Sequence, residues 1–429
     1  LSFYIRNIIL KECGCYMANG NNNNTYNSGN TENNGYMNDN MYNTGSTNNN
    51  PYTSASLENN RTISPKPAKP LLNLDKFAFY SINTFSPGKC VDIKNWSTAN
   101  DAEAIQYTYG NQINQKFMVI PLDDGSTILA AKHSGKVLDQ KYNSRIIQYD
   151  FNNYDNQKFY LGNNNHIVSK YNGESFDVKD AASGNGAVIA TYPTHSWNNQ
   201  KFYFMHRESI PIQFPATTTL PPAPTFTSLT QQLPDSTSPV IVSYTTIPYL
   251  LVQDPTYTHQ QRIGFSPYYL LIKKQYWRKE SQRILAPRDE YEFTVKYGMS
   301  TTEQESMEQT TSITIGADFG FQFKALSAGI STQITDELKV SKSRSSTQLK
   351  EETHRYFYTN PFDSRMARAE YIRVDEFQLK RMNGTQVSMS WTVEDKNHTS
   401  VTTYIEGSGR SIPAEEDKAA QLPSGLFMN

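Results

Sequence analysis

Asn114-Gln115-Lys116-Phe117, Asn156-Gln157-Lys158-Phe159 and Asn199-Gln200-Lys201-Phe202 are one four-residue phrase written three times. The copies stand about 42 residues apart, a fixed period that marks a repeat architecture and has to be read before any local pattern. Each copy closes a unit with the same order of parts. A short apolar run carries an Asp: Lys89-Cys90-Val91-Asp92, Lys136-Val137-Leu138-Asp139 and Ser175-Phe176-Asp177. A second strand-like run follows, at 105–109, 147–151 and 188–192, and a polar turn then leads into the phrase.

This register resembles the ricin-B-type β-trefoil lectins, whose three units each end in Gln-x-Trp. Here Phe replaces Trp in all three copies. The resemblance covers about residues 75–207 and implies a β-trefoil.

The whole chain fits an all-β protein. It has 429 residues, room for two or three domains, and a net charge of −1 without basic blocks, which argues against nucleic acid as a partner. Aromatic residues make up 12%, with 28 Tyr, whose apolar face and polar tip suit sugar contact and strand surfaces. Three cysteines supply no disulfide framework. Cys13 and Cys15 either cross-link chains or are idle, and Cys90 is expected to be a small buried apolar residue. No apolar run is long enough for a membrane-spanning helix, and residues 5–10 are too short for a signal-peptide core. Export by the general secretory route is therefore not expected.

Composition divides the chain. Residues 1–70 form a tail ending in Pro65, Pro67 and Pro70, whose Asn-rich tract at 18–60 is too poor in aliphatic residues to offset ordering entropy. Residues 71–208 are the trefoil, 209–239 a Pro/Thr-rich linker, 240–407 a second β domain and 408–429 a polar tail. In the second domain, three motifs occur in order. They are the run ending Asp254-Pro255, then Pro267-Tyr268-Tyr269-Leu270-Leu271 with Gln275-Tyr276-Trp277, and then Ile315-Gly316-Ala317-Asp318-Phe319-Gly320. They resemble the Bin-like (Toxin-10 type) insecticidal crystal toxins, which pair a trefoil head with an elongated aerolysin-like, β-sheet pore-forming domain.

A trefoil sugar pocket needs an Asp to accept hydroxyl hydrogen bonds, an aromatic ring against the apolar sugar face, and an Asn/Gln rim. The third unit offers Asp177, Tyr192, His195, Asn199 and Gln200, and Tyr192-Pro193-Thr194-His195 resembles the Tyr-Pro-x-His of ricin-type galactose sites. The first offers Asp92, Tyr109, Asn114 and Gln115; the second offers Asp139, Phe151, Asn156 and Gln157. Loop lengths rank the pockets third, first, second. Gln and Phe of the phrase build the core of any trefoil, so Asp and ring positions carry the information about binding.

Ile313, Ile315, Phe319, Phe321 and Phe323 alternate with small or polar residues, and a return arm carries Ala328, Ile330 and Ile334. Period two predicts a hairpin with arms of about 10 residues, the length a tilted strand needs to cross a bilayer. The same pattern suits a half-buried hairpin of a soluble sheet.

No zinc-ligand cluster, phosphate loop or nucleophile elbow appears, so no catalytic residue, metal or cofactor is expected. Acidic residues such as Asp254 are read as solvated surface charge. The family resemblance implies an insecticidal protein stored as an intracellular parasporal crystal and acting outside the cell on gut-cell membranes. It implies a galactose-type cell-surface glycan or a glycoprotein or glycolipid receptor as partner. It also implies self-association into a crystal dimer and an oligomeric pore, and leaves room for a second toxin component. Arg61, Arg410 and Lys418 are the expected activation cuts. The rival reading is a plain lectin or a glycosidase with a trefoil module.

Overall fold

Each repeat folds into four short strands. The first unit contains Ala78–Asn83, Lys89–Ile93, Ala102–Thr108 and Phe117–Pro121. The second contains Thr127–Ala131, Val137–Gln140, Ile146–Tyr149 and Phe159–Leu161, and the third Ile167–Ser169, Ser175–Val178, Ala187–Tyr192 and Tyr203–Ser209. The last strand pairs antiparallel with the first, Asn83 opposite Tyr203, which ties the ends of the repeat together. The computed structural model describes residues 74–412 apart from Asn163 and Arg410. The described residues all fall in one unit of the fold, residues 62–429. The Asn-rich tail, Cys13, Cys15, Arg61, Arg410 and Lys418 lie outside them.

The repeated phrase acts the same way three times. Phe117, Phe159 and Phe202 are fully buried in the trefoil core, where Phe176 meets Phe159 and Phe202 edge-on at 5.0 and 5.9 Å. The Gln before each Phe is buried and clamps its own unit. Gln115, Gln157 and Gln200 each accept from a backbone N–H five residues earlier, at 2.8–2.9 Å. Each also donates to a carbonyl seven residues earlier and to the unit's Asp. Cys90 is buried, and burial pushes its thiol up to about 12.

The second region is an antiparallel five-stranded sheet in the order Val240–Pro248, Tyr268–Leu285, Met366–Arg381, Trp391–Ile405, Ser411–Ile412. Its longest strand, Tyr268–Leu285, has 18 residues and is about 60 Å long at ~3.3 Å per residue. A separate two-stranded ribbon, Glu290–Tyr297 with Glu352–Thr359, lies on the sheet. Its Val295 and Tyr297 bury against Ile372 and Val374. The Pro/Thr-rich stretch runs along the sheet, with Phe226 and Leu233 buried against Ala367, Ala369 and Tyr371. Tyr371 and Trp277 hydrogen-bond the carbonyls of Pro234 and Pro221 at 2.6 and 2.9 Å, backbone acceptors that Pro still offers.

Asp254 corrects the reading of it as surface charge. Its side chain is fully buried and holds Arg381 bidentately, Nε at 2.7 Å and Nη2 at 2.8 Å, while Tyr269 donates to it at 2.9 Å. Burial works against its charge, but these donors prevail and hold the carboxyl below its ordinary range. Two of the three family-like motifs therefore meet at one buried ion pair, a geometry in which losing either partner is costly.

Head and sheet share a core. Phe79, Met118, Ile120, Ile128, Ala130 and Val137 of the head join Tyr249, Leu250, Leu251, Ile263, Ile330 and Ile334 of the second region. The carbonyl of Gly135 accepts from Tyr249 Oη at 2.6 Å and lies 2.7 Å from His259 Nε2. A Cβ at Gly135, whose φ is +73°, would come within 2.9 Å of the His259 carbonyl. Asp123 accepts from Ser331 Oγ and the Thr332 N–H at 2.9 and 3.1 Å.

The hairpin expected over 313–336 is not formed. Only Ile313–Ile315 and Phe321–Phe323 pair, and Ser331–Leu338 is an α-helix entered through a short 3-10 turn at Ala328–Ile330. Ile330, Ile334 and Leu338 are buried at spacing four, which satisfies a helix as well as it satisfies period two. Ile313, Ile315 and Phe321 are buried in the shared core, Phe319 and Phe323 pack against it, and Ala328 is exposed. Gly320 lies under the chain at 341–343, where a Cβ would meet Ser343 N at 2.6 Å, and that chain bridges Phe321, whose N–H bonds the Ser341 carbonyl at 2.9 Å. A second helix, Thr301–Thr311, opens at Ser300, whose hydroxyl accepts from the Glu303 N–H; Ser-x-x-Glu is the signal for that start.

Candidate carbohydrate-binding site

The strands put an Asp, an Asn and a Gln together in every unit. Asn114 Nδ2 and Gln115 Nε2 donate to Asp92 at 3.0 and 2.8 Å. Asn156 and Gln157 donate to Asp139 at 2.8 and 2.9 Å. Asn199 and Gln200 donate to Asp177 at 2.8 and 3.0 Å. Burial raises all three carboxyls above their ordinary range, opposed by these amide donors and, at Asp177, by His195. The three Gln side chains are sealed in and have no path to a ligand; they position the Asp.

The units then diverge. In the first and second, the two amides take one carboxylate oxygen each. In the third, both donate to Oδ2, with His195 Nε2 3.4 Å from the same atom. Oδ1 of Asp177 is left without a donor among the described residues, whereas an unpartnered amide oxygen is common to Asn114 and Asn199.

Access diverges as well. Tyr109 of the first unit is capped by the Arg207 guanidinium, 3.9 Å from its ring centre, and its hydroxyl donates to Asn111. Phe151 of the second unit packs against the core shared with the sheet, and its neighbour Asn153 donates to the Ala325 carbonyl at 2.7 Å. Asn156 instead faces a cleft of about 530 Å³ with Tyr154 and Tyr171, rings the sequence reading passed over. Tyr192 of the third unit is 58% exposed and leans toward His195, whose other side carries Trp197, 70% exposed.

The third cleft holds about 780 Å³ and is lined by Asp177, Tyr192, His195 and Asn199, all four foreseen, together with Trp197, Arg145 and Lys179, which were not. Trp197 could have been found as a large ring in a wholly polar loop. Arg145 could not, because it reaches the cleft through a long-range bridge of its backbone to Ala190. Among the described residues no cluster of three or more His, Cys, Asp or Glu is placed to hold a metal ion. No helix there is long and apolar enough to cross a membrane, which says nothing of strands.

Fold and site define a lectin-type β-trefoil head joined to a long-stranded β-sheet domain. Residues 78–202 match the ricin-type β-trefoil lectin domain, and residues 240–406 match the insecticidal crystal toxin P42 family. The chain is 27% identical over 341 residues to the binary larvicide subunit BinB of Lysinibacillus sphaericus, covering 72% of this chain and 75% of that one. It is 27% identical over 306 residues to the binary larvicide subunit BinA of the same organism, covering 68% and 81%. The crystal structure of Cry35Ab1, an insecticidal crystal protein of Bacillus thuringiensis, aligns with a TM-score of 0.63 at 23% identity, over 77% of this chain and 91% of that one, and has the same fold. These matches support a Bin-like insecticidal crystal toxin with a ricin-type lectin head.

Proposed function

We propose that this toxin docks on target cells by binding a galactose-type glycan in the third cleft of its head. The observation that carries this is the free Oδ1 of Asp177 beside the exposed rings of Tyr192 and Trp197. A carboxylate oxygen that no protein group uses can take a sugar hydroxyl, and the rings can take the apolar sugar face. Titration of the full chain with lactose tests it: Tyr192→Ala and Asp177→Asn should each weaken binding while the fold persists. Equal affinity in both variants would reject the cleft.

The second step of the proposed function is perforation of the membrane by the sheet region after proteolytic trimming of the tails, as an oligomer and with a second toxin component. The inserting element in this reading is the ribbon Glu290–Tyr297/Glu352–Thr359. Tyr291, Phe293, Val295, Tyr356 and Tyr358 face the sheet, while Glu292, Thr294, Lys296 and Arg355 face water. Side-chain packing and the reciprocal Gly298–Glu394 backbone pair hold it to the sheet, so it can leave without unzipping the long ladders. Its apolar face would then meet lipid in a barrel with no unpaired edge. A polarity-sensitive dye at Phe293 should report lipid on liposome binding, while one at Thr294 should keep reporting water. If both dyes are unmoved while entrapped marker escapes, the ribbon is not the inserting element. Release of reducing sugar without leakage would favour the glycosidase reading instead.

A further inference from the structure

The pseudo-threefold repeat places a lysine two residues after each Asp: Lys94, Lys141 and Lys179. Two of them are neutralised. Lys94 pairs with Glu103 at 2.9 Å and Lys141 with Asp101 at 2.6 Å. Lys179 has no carboxylate partner among the described residues, and it lines the third cleft. The ladders give the reason. Ile93 lies opposite Ala104 in the first unit, and Val178 opposite Ile189 in the third. The place of Glu103 is therefore taken in the third unit by Val188, which cannot pair with an ammonium.

A second cation comes to the same cleft from the preceding repeat. The backbone bridge from Arg145 to Ala190, with the Thr191 N–H bonded to the Ser144 carbonyl at 2.7 Å, fixes Arg145 on the cleft wall. Its guanidinium shares Glu103 with Lys94, so one carboxylate serves two cations and leaves a positive excess. Asp177 and Asp180 are the opposing charges on this lining; Asp177 is engaged by Asn199, Gln200 and His195, and Asp180 has no cation partner of its own among the described residues.

We propose that the third cleft selects a galactose-type glycan bearing an anionic substituent, a carboxylate or a sulfate ester, with Lys179 as the principal contact and Arg145 as the second. The inference rests on the cleft being a sugar site. Asp177 and Tyr192 hold the neutral ring, and the cations read what is attached to it. An ammonium without a counter-ion is the group that gains most from an incoming anion, because no existing ion pair has to be broken.

Binding of the full chain to lactose, sialyllactose and 3′-sulfolactose decides it. The anionic glycans should bind about 2- to 5-fold more tightly than lactose, the gain expected of one exposed charge pair. The preference should shrink as salt is raised from low to about 0.15 M. Lys179→Glu should remove it, read as the ratio of anionic-glycan to lactose affinity within the variant, and Asp180→Asn should enlarge it. A gain for only one of the two anionic glycans identifies which substituent is read and supports the proposal. Equal affinity for all three, or a preference that survives Lys179→Glu, overturns the proposal and leaves the sugar site standing. If none of the three binds, the sugar site falls and this inference with it.

Discussion

The first and third units of the head contain the same Asp–Asn–Gln constellation, and one is closed where the other is open. Asp92 is saturated by two amides and its neighbouring ring is capped by Arg207. Asp177 keeps an oxygen free beside two exposed rings. The constellation is thus a folding device first, and a binding device only where the loop above it leaves room. A motif shared by three repeats reports the fold three times and the site once.

The largest expected effect concerns what the units share. Phe159→Ala should destabilise the head by about 3–5 kcal/mol, because a fully buried ring leaves a cavity among Phe176 and its neighbours. Chemical denaturation followed by tryptophan fluorescence measures it. A loss below about 1 kcal/mol would mean that the phrase does not anchor the core.

Next in size is the clamp. Gln115→Ala and Gln200→Ala should each cost about 1–3 kcal/mol, since each orphans a buried Asp, an N–H and a carbonyl. The two values should agree even though only one unit is open. A marked inequality would show that the open cleft has already relaxed its clamp.

A smaller and sharper contrast separates the rings. Tyr192→Ala should weaken lactose binding by at least about 1 kcal/mol, the scale of an aromatic contact beyond its area. Tyr109→Ala should leave it unchanged, because Arg207 occupies that face. Calorimetry on both variants measures the difference, and a loss in Tyr109→Ala would reopen the first unit as a site.

The smallest effect is in pH. Asp177 must be ionised to accept from sugar, and burial raises its carboxyl. Lactose binding should therefore fade, on acidification, at a pH above the ~3.9 of a free Asp. For stability the sign is opposite. A raised native pKa favours the protonated fold, so that contribution is present at low pH and is lost as pH rises through the raised value. A midpoint at or below that of a free Asp would contradict the burial argument.

The sequence by itself determined the trefoil, the Asp and ring positions of its three units, and the β-rich second region. Those signals are periodic and local, and three phrases in register leave few alternatives. The tertiary structure decided which cleft is open, because Arg207, Ala325 and Arg145 reach the units from far along the chain. It also decided the fate of 313–336, where Ile330, Ile334 and Leu338 serve two periods equally and are buried from a helix in the core shared by head and sheet. Asp254 shows the same limit: a carboxylate in a sequence carries no mark of burial until Arg381, 127 residues away, is folded against it. Repetition is written along the chain, whereas access and pairing exist only between its distant parts.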